Sequence, residues 1–291
     1  MDSIRVAMNS VEERTVSKGG FALRQGGHEQ PDATAWACVL LAAARRSLPQ
    51  VESGYARLAA LQADDGRVSV DPGHVETIWP TALAVLAWRS SSAYGQQCER
   101  AARYLLETSG AHWPQFPRSP LAHDTDILGW GWTEGGHAWV EPTAMAVMAL
   151  RALGRDTHLR VRSGVALLLN RQLSRGGWNY GNTRVFGAEL RPNVESTGMA
   201  LHALAGLVAL HEVERSLDYL RERIDRLSTP LSLGWGVLGL QAWEEPVGHL
   251  ENRVGDCLRR QEYVGPYDTP ALSLVLLPLV RSWPLWRGGQ A

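Results

Sequence analysis

The chain has almost no lysine, few cysteines and no long apolar run, and each scarcity excludes a class of protein. Lys18 is the only lysine, and 29 Lys and Arg residues against 30 Asp and Glu leave a formal net charge of −1. A nucleic-acid-binding protein usually displays a basic surplus as its electrostatic footprint. We therefore expect no nucleic-acid partner.

The cysteines exclude a second group of structures. Cys38, Cys98 and Cys257 are far apart, odd in number and without Cys-x-x-Cys spacing, so neither a disulfide framework nor a cysteine zinc site is expected. Residues 1–14 carry charges where a signal peptide would have an apolar core. These features favour a reducing compartment, and we expect a cytoplasmic protein.

Membrane-spanning helices are also not expected. The longest nearly uncharged apolar run, Thr269 to Val280, is too short to cross a bilayer and contains Pro278. We interpret it as a final core helix and residues 281–287 as a tail that folds back over the body. The alternative is that this tryptophan-containing tail makes peripheral contact with a membrane surface.

The chain contains enough apolar residues for a large core, and these residues recur in a repeated pattern. With 291 residues and 45% hydrophobic composition, we expect one folded domain over residues 1–291. Each repeat has an amphipathic helix, a Gln/Gly/aromatic turn, and a threonine that leads an apolar helix. The leading threonines are Thr34, Thr81, Thr143, Thr197 and Thr269.

A weaker copy, with a predicted turn at Ser232 to Gly236, falls in the wide gap before the last threonine and brings the total to six helical hairpins. The second helix of each pair is apolar on nearly every side, as in residues 81–88, so it must be buried on every side. Both terminal copies retain this apolar helix. We therefore predict an all-α fold, a closed (α/α)6 toroid, in preference to an open solenoid with exposed ends.

The toroid predicts where a functional site lies. Inner helices of successive hairpins run in the same direction, so their first turns meet at one end of the ring. The residues two positions before each threonine should therefore share one rim, and they are Asp32, Trp79, Glu141, Glu195 and Tyr267.

Two motifs carry a resemblance to a known family. The turn Gln172 to Gly181 reads Gln-x-x-x-Gly-Gly-Trp-x-Tyr-Gly, with weaker relatives at Gln62 to Gly66 and Gln261 to Gly265, and residues 139–144 read Trp-Val-Glu-Pro-Thr-Ala. This pattern resembles the repeats of the squalene-hopene cyclase and protein prenyltransferase β-subunit superfamily. The resemblance implies a helical toroid and an isoprenoid substrate, and the length suits a single barrel.

The resemblance also implies a proton donor. Cyclases of this superfamily protonate their substrate with an Asp-x-Asp-Asp-Thr-Ala motif, which here corresponds to Gln30 to Ala35. Asp32 and the Thr-Ala pair are retained, whereas Gln30 and Ala33 replace the flanking acids. The Asp, Cys and His zinc ligands of the prenyltransferases have no match, because Asp256 and Cys257 are adjacent and no Asp-x-Cys is found.

The leading hypothesis is an enzyme that cyclises or isomerises an isoprenoid by acid initiation, without a cofactor. Asp32 would donate the proton, with capping of its own helix as the alternative role. Glu141 and Glu195 would tune that proton, or would instead stabilise their own helix ends. Aromatic rings would line the substrate pocket through their π faces; the candidates are Trp36, Trp79, Trp130, Trp132, Trp139 and Tyr267.

Two other functions are compatible with the sequence. A non-catalytic toroid could bind a lipid, a peptide or a partner chain at its mouth. A glycoside hydrolase would use Glu141 with Asp124 or Asp126 as an acid and base pair. Asp124 and Asp126 are also weak candidates for metal ligands, although a solvated loop is the simpler interpretation and no metal is expected.

Overall fold

The computed structural model describes residues 2–71, 73–74, 76–116, 119–280 and 284–287. Their secondary structure is helical except for one short hairpin, β1 (Arg184–Val185) and β2 (Ala188–Glu189), and two single turns of 3₁₀ helix. The α-helices are α1 (Asp2–Glu12), α2 (Pro31–Ala43), α3 (Leu48–Leu61), α4 (Trp79–Trp88), α5 (Gly95–Glu107), α6 (Val140–Ala152), α7 (Leu159–Asn170), α8 (Val194–Leu204), α9 (Leu210–Arg221), α10 (Pro230–Gln241), α11 (Leu250–Arg259), α12 (Gln261–Val264) and α13 (Thr269–Val280).

Six of these helices form a closed inner ring. Each of α2, α4, α6, α8 and α10 packs against the next, and α13 packs against both α10 and α2. Nearly every residue of these helices is buried. The predicted toroid is therefore confirmed, and the ring closure excludes the open solenoid.

The outer helices α1, α3, α5, α7, α9 and α11 each bury a single stripe. In α5 the buried residues are Cys98, Ala101, Ala102, Tyr104 and Leu105, which is the spacing of one face of an amphipathic helix. The remaining face of α5 is solvated. An outer helix thus needs only one apolar stripe, whereas an inner helix needs apolar residues all round.

The repeated threonine has a structural role that explains its recurrence. The Oγ1 atoms of Thr34, Thr81, Thr143 and Thr197 are buried, and each accepts a hydrogen bond from a backbone N–H in the preceding turn at 2.9–3.0 Å. Thr269 instead donates to the carbonyl oxygen of Ala22 at 2.6 Å. That bond fastens the last inner helix to the first turn of the chain and helps to close the ring.

Glycine is required in the turns because they contact the next outer helix. Gly66 has φ +95°, and a Cβ atom there would lie 2.2 Å from the carbonyl oxygen of Arg100. Gly176 has φ +90° and would meet the carbonyl oxygen of Arg215 at 2.3 Å. Any side chain would therefore separate neighbouring hairpins as well as strain the backbone.

Two segments that the sequence predicts to be turns form helices in the structure. Ser232 to Gly236 lies inside α10, and Gln261 to Val264 forms α12. The Gly-Trp-Gly sequence of the fifth copy belongs to an inner helix because Gly234 packs against the backbone of Leu274, where a Cβ atom would lie 2.5 Å from its carbonyl oxygen. The glycines there permit close helix packing rather than a turn.

The described part of the C-terminal tail lies over the end of the ring opposite the predicted rim. Leu285 is fully buried, and its N–H donates to Nε2 of His202 at 2.7 Å. The guanidinium of Arg151 lies 3.5 Å from the ring centre of Trp286. Residues 281–283 lie outside the described residues. Among the described helices, none combines the length and apolar character needed to cross a bilayer.

Candidate functional site

The first turns of the inner helices meet at one end of the ring, here called the rim. Asp32, Trp79, Glu141 and Glu195 lie in the first turns of α2, α4, α6 and α8, and Tyr267 lies just before α13. Hydrogen bonds join the first turns of α6, α8 and α10 at this end of the ring. The rim brings together residues that are distant in sequence.

Two rim carboxylates belong to a chain of hydrogen bonds across three helices. The hydroxyl of Ser196 donates to Oε1 of Glu141 at 2.8 Å. In turn, the hydroxyl of Ser232 donates to Glu195, and that of Thr229 donates to Ser232 at 2.7 Å. These contacts hold both carboxylates in place at the mouth of the ring.

Burial makes two of the rim acids retain their protons more strongly than free carboxylic acids. Desolvation raises the pKa of Asp32, and the negative charge of Asp268 adds to this, although backbone N–H groups of Asp32 and Ala33 oppose the shift. Desolvation also raises the pKa of Glu141, with the charge of Glu195 adding and the bond from Ser196 opposing. The neutral acid is thereby favoured at both positions.

One turn below the rim, apolar side chains form a shallow floor. Residues four apart lie on the same face of a helix, so Trp36, Met145, Met199 and Ala271 lie below the rim positions of their own helices. Each keeps a small residual exposure of 6–8%. These residual exposures indicate a shallow depression between the rim and this floor, which we call the cup.

The floor is closed by an aromatic contact across the ring. Trp36 of α2 and Trp235 of α10 meet edge to face, with ring centres 5.8 Å apart, although α2 and α10 are not neighbours in the ring. The ring of His202 lies 6.3 Å beyond Trp235. His202 accepts the Leu285 N–H at Nε2 and therefore donates from Nδ1 to the carbonyl oxygen of Leu238, which makes it a satisfied core histidine.

A second concavity lies at the loops that precede α6 and α8. This side groove has a volume of about 630 Å³ and is lined by residues that include Trp132, Trp139, Tyr180, Asn182, Arg191 and Asn193. Trp139 and Asn193 directly precede α6 and α8. The ring of Trp79 packs edge to face on Trp132 at 6.1 Å, so three of the predicted aromatic residues are close together.

Two residues that the sequence predicts to line the substrate pocket have side chains that point away from the cup. Trp130 has no exposed surface; its Nε1 donates to the carbonyl oxygen of Leu105 at 2.8 Å, and Arg160 stacks on its ring at 4.2 Å. It wedges hairpins together and cannot line the cup. The hydroxyl of Tyr267 donates to the carbonyl oxygen of Cys257 on α11 at 3.1 Å, so its ring faces the outer layer.

Asp124 and Asp126 lie in the long connection between α5 and α6. A carboxylate oxygen of Asp124 accepts the Asp126 N–H at 2.9 Å, and its carbonyl oxygen accepts a bond from Arg171 at 2.7 Å. These contacts fasten the connection, as expected for a loop. In the part of the chain that the structure describes, no group of three or more His, Cys, Asp or Glu side chains could hold a metal ion.

The same connection contains a buried histidine, His123. His123 is 2% exposed, and neither ring nitrogen has a hydrogen-bond partner. Desolvation, with the nearby charge of Arg171, lowers its pKa to about 4. The ring of His137 lies 6.1 Å away and contacts Trp113 and Trp139.

Other features of the site could not be read from the motifs. Ser196 and Ser232, which hold the rim acids, are ordinary serines in the sequence, and their role depends on contacts between different helices. Ser196 does follow Glu195 in a Glu-Ser-Thr sequence at a helix start, which was the one available signal. Nothing local marks Tyr180, Asn182 and Arg191 as neighbours of Trp132.

The fold is that of α/α toroid proteins, and solved structures of two kinds resemble it. No protein-family model and no curated protein sequence matches the chain. A type II terpene cyclase, MstE from Scytonema in complex with geranylgeranyl dihydroxybenzoate, matches with a TM-score of 0.67 at 12% identity, over 98% of this chain and 97% of that one.

Two carbohydrate-acting proteins are also similar. An α-1,6-mannanase of Salegentibacter in complex with α-1,6-mannotetrose has a TM-score of 0.62 at 15% identity and covers 97% of this chain and 99% of its own. An α-amylase from Clostridium perfringens has a TM-score of 0.64 at 10% identity, over 96% and 97%. At these identities the likeness establishes the fold alone.

Proposed function

We propose that the protein is a terpene cyclase-like enzyme that protonates a carbon–carbon double bond of an isoprenoid in the cup. Asp32 is the proton donor. The π electrons of the double bond form the new C–H bond and leave a cation on the neighbouring carbon. This cation either loses a proton or is attacked by another double bond, and in the second case the new cation loses the proton. The reaction is therefore a cyclisation or an isomerisation with no net change in composition.

The observation that carries the proposal is the setting of Asp32 at the mouth of an aromatic floor. A double bond is a weak base, and its protonation requires a carboxylic acid in the neutral form. Burial raises the pKa of Asp32, which keeps a larger fraction of this carboxyl group protonated at a given pH. Trp36 lies one helical turn below, and its π face can stabilise a cation.

The rim carboxylates have a supporting role. Glu141 and Glu195 are held by Ser196 and Ser232. Glu195 can accept the proton lost from the cation, and Glu141, in which burial favours the protonated form, adjusts the acidity of the site. The open mouth allows solvent to return a proton to Asp32. The likeness to a terpene cyclase bound to an isoprenoid compound supports the substrate class, and a small polyprenoid fits the shallow cup better than a long one.

The test is deuterium incorporation from heavy water. Purified protein is incubated with geraniol, farnesol and geranylgeraniol in D₂O, and the products are analysed by mass spectrometry. We expect one deuterium in the product, and a loss of at least about 100-fold in rate for Asp32→Asn because general acids contribute roughly 10²–10⁴-fold. The matched control is Asp126→Asn, which removes an exposed loop carboxylate and should leave the rate within about twofold.

Two outcomes contradict the proposal. If Asp32→Asn incorporates deuterium at the parent rate, Asp32 is not the donor. If none of the three alcohols is converted, the protein is not an enzyme of this class, and a non-catalytic toroid that binds a ligand or partner becomes the better interpretation. The rate should also fall as pH rises through the raised pKa of Asp32, because only the neutral acid donates.

A further inference from the structure

The side groove has a composition unlike that of the cup, and nothing in the proposed reaction uses it. The floor of the cup is formed by indole, thioether and methyl groups, whereas the side groove combines aromatic rings and the side chain of Leu190 with amides and a guanidinium. Its volume of about 630 Å³ falls in the range of small-molecule sites.

The aromatic walls of the groove are exposed yet fixed. Tyr180 is 63% exposed and Trp132 is 37% exposed, which is unusual for large rings that contribute nothing to the core. The backbone around them is held by the hydrogen bond from the Val140 N–H to the Tyr180 carbonyl oxygen at 2.9 Å and by the packing of Trp132 on Trp79. The groove thus presents preformed ring faces to solvent.

The polar groups of the groove have hydrogen-bonding capacity to spare. Oδ1 of Asn193 accepts the Ser196 N–H at 2.7 Å, which leaves the NH₂ group of Asn193 for a ligand. The side chains of Asn182, which is half-buried, and of Arg191, which is exposed, also line the groove. Donors and an acceptor therefore border the aromatic faces.

This combination of aromatic rings and polar side chains favours some classes of ligand over others. A hydrocarbon chain would cover the amides and the guanidinium without replacing their bonds to water, which is unfavourable. A sugar ring has an apolar C–H face that suits an aromatic ring and hydroxyl groups at its edge that suit amides and guanidinium. A neutral polyhydroxylated ring therefore satisfies both kinds of wall at once.

We propose that the side groove at the loops that precede α6 and α8 is a binding site for a short oligosaccharide, with sugar rings stacked on Tyr180 and Trp132 and hydroxyl groups bonded by Asn182, Asn193 and Arg191. The site is separate from the acid at Asp32 and does not depend on isoprenoid chemistry. It requires no cleavage of the sugar.

The experiment measures binding rather than turnover. Maltotetraose, cellotetraose, chitotetraose and α-1,6-linked mannotetraose are titrated into the full-length protein by isothermal calorimetry, up to about 10 mM. At least one should bind with a Kd at or below about 1 mM, an affinity that is measurable by this method. Tyr180→Ala should weaken that binding at least tenfold, and Asn182→Ala at least threefold.

The matched control is Tyr263→Ala, which removes a tyrosine that is 87% exposed on α12 and outside the groove; its Kd should stay within twofold. Asp32→Asn should also leave sugar binding unchanged, which separates this proposal from the catalytic one. Absence of binding to all four sugars overturns the proposal. Binding that Tyr180→Ala leaves intact overturns it as well, since the sugar would then lie elsewhere.

Discussion

The closest approach between two inner helices makes a quantitative test of the toroid possible. A Cβ atom at Gly198 of α8 would lie 2.1 Å from the carbonyl oxygen of Trp235 and 2.4 Å from its carbonyl carbon on α10. Ordinary contact between non-bonded heavy atoms is about 3.5 Å, so this distance must grow by about 1.4 Å. A backbone carbonyl cannot rotate away as a side chain can.

The expected effect of Gly198→Ala follows from two opposing contributions. Alanine is the better helix former by about 1 kcal/mol, whereas overpacking a close contact costs about 1–3 kcal/mol and more when backbone must shift. Because a clash with backbone falls at the upper end of the overpacking cost, we expect the free energy of unfolding to fall by about 2 kcal/mol. The separation should also loosen the contact between Trp36 and Trp235, since Trp235 provides the clashing carbonyl group.

The assay is urea unfolding followed by tryptophan fluorescence. The control is Gly95→Ala at the start of α5, where φ is −57° and nothing lies within 4 Å of the new Cβ atom; it should be neutral or stabilising by a few tenths of a kcal/mol. If Gly198→Ala does not fold, Gly239→Ala provides the milder clash, at 2.8 Å from Gly198. The packing argument is wrong if Gly198→Ala and Gly95→Ala unfold at the same urea concentration.

Two further predictions concern stability. Thr197→Val leaves the buried N–H of Trp178 without its acceptor at 2.9 Å and should lower the free energy of unfolding by about 1–3 kcal/mol; an unchanged urea midpoint would refute the structural role of the repeated threonine. The second prediction is that His123 makes the stability of the fold sensitive to acid. The pKa of His123 is about 4 in the folded protein, whereas that of a histidine in the unfolded chain is near 6.5. Between these pH values the unfolded state binds more protons, so stability falls as pH falls, by up to about 3 kcal/mol. His123→Phe should flatten this dependence in urea titrations from pH 7 to 4, and an identical slope in both proteins would contradict the assignment.

The rim was predictable because a helix start is a local event. Pro142 after Glu141 and Pro31 before Asp32 fix where α6 and α2 begin, since proline suits the first turn of a helix. The threonine that follows repeats because it must bond the preceding turn. The sequence alone therefore predicts that Glu141 and Glu195 lie at one end of the ring.

Side-chain direction was not predictable in the same way. Tyr267 precedes its threonine by two residues, as Glu195 does, yet its hydroxyl bonds the carbonyl oxygen of Cys257 in the outer layer. Trp130 precedes a predicted helix start but is buried behind Arg160. For both residues the sequence indicates the place along the helical repeat. The packing of neighbouring hairpins determines the direction of the aromatic side chain.

The sequence by itself determined the helical repeat, the number of hairpins and the end of the ring at which the acids gather, because these depend on periodicity and on local helix signals. Only the tertiary structure decided how deep the cup is, since its floor is a contact between Trp36 and Trp235 on helices that are not neighbours. The side groove likewise exists only because separate loops meet beside Trp139. Contacts between residues far apart in the chain leave no periodic signal, and they determine which surfaces are open to a ligand.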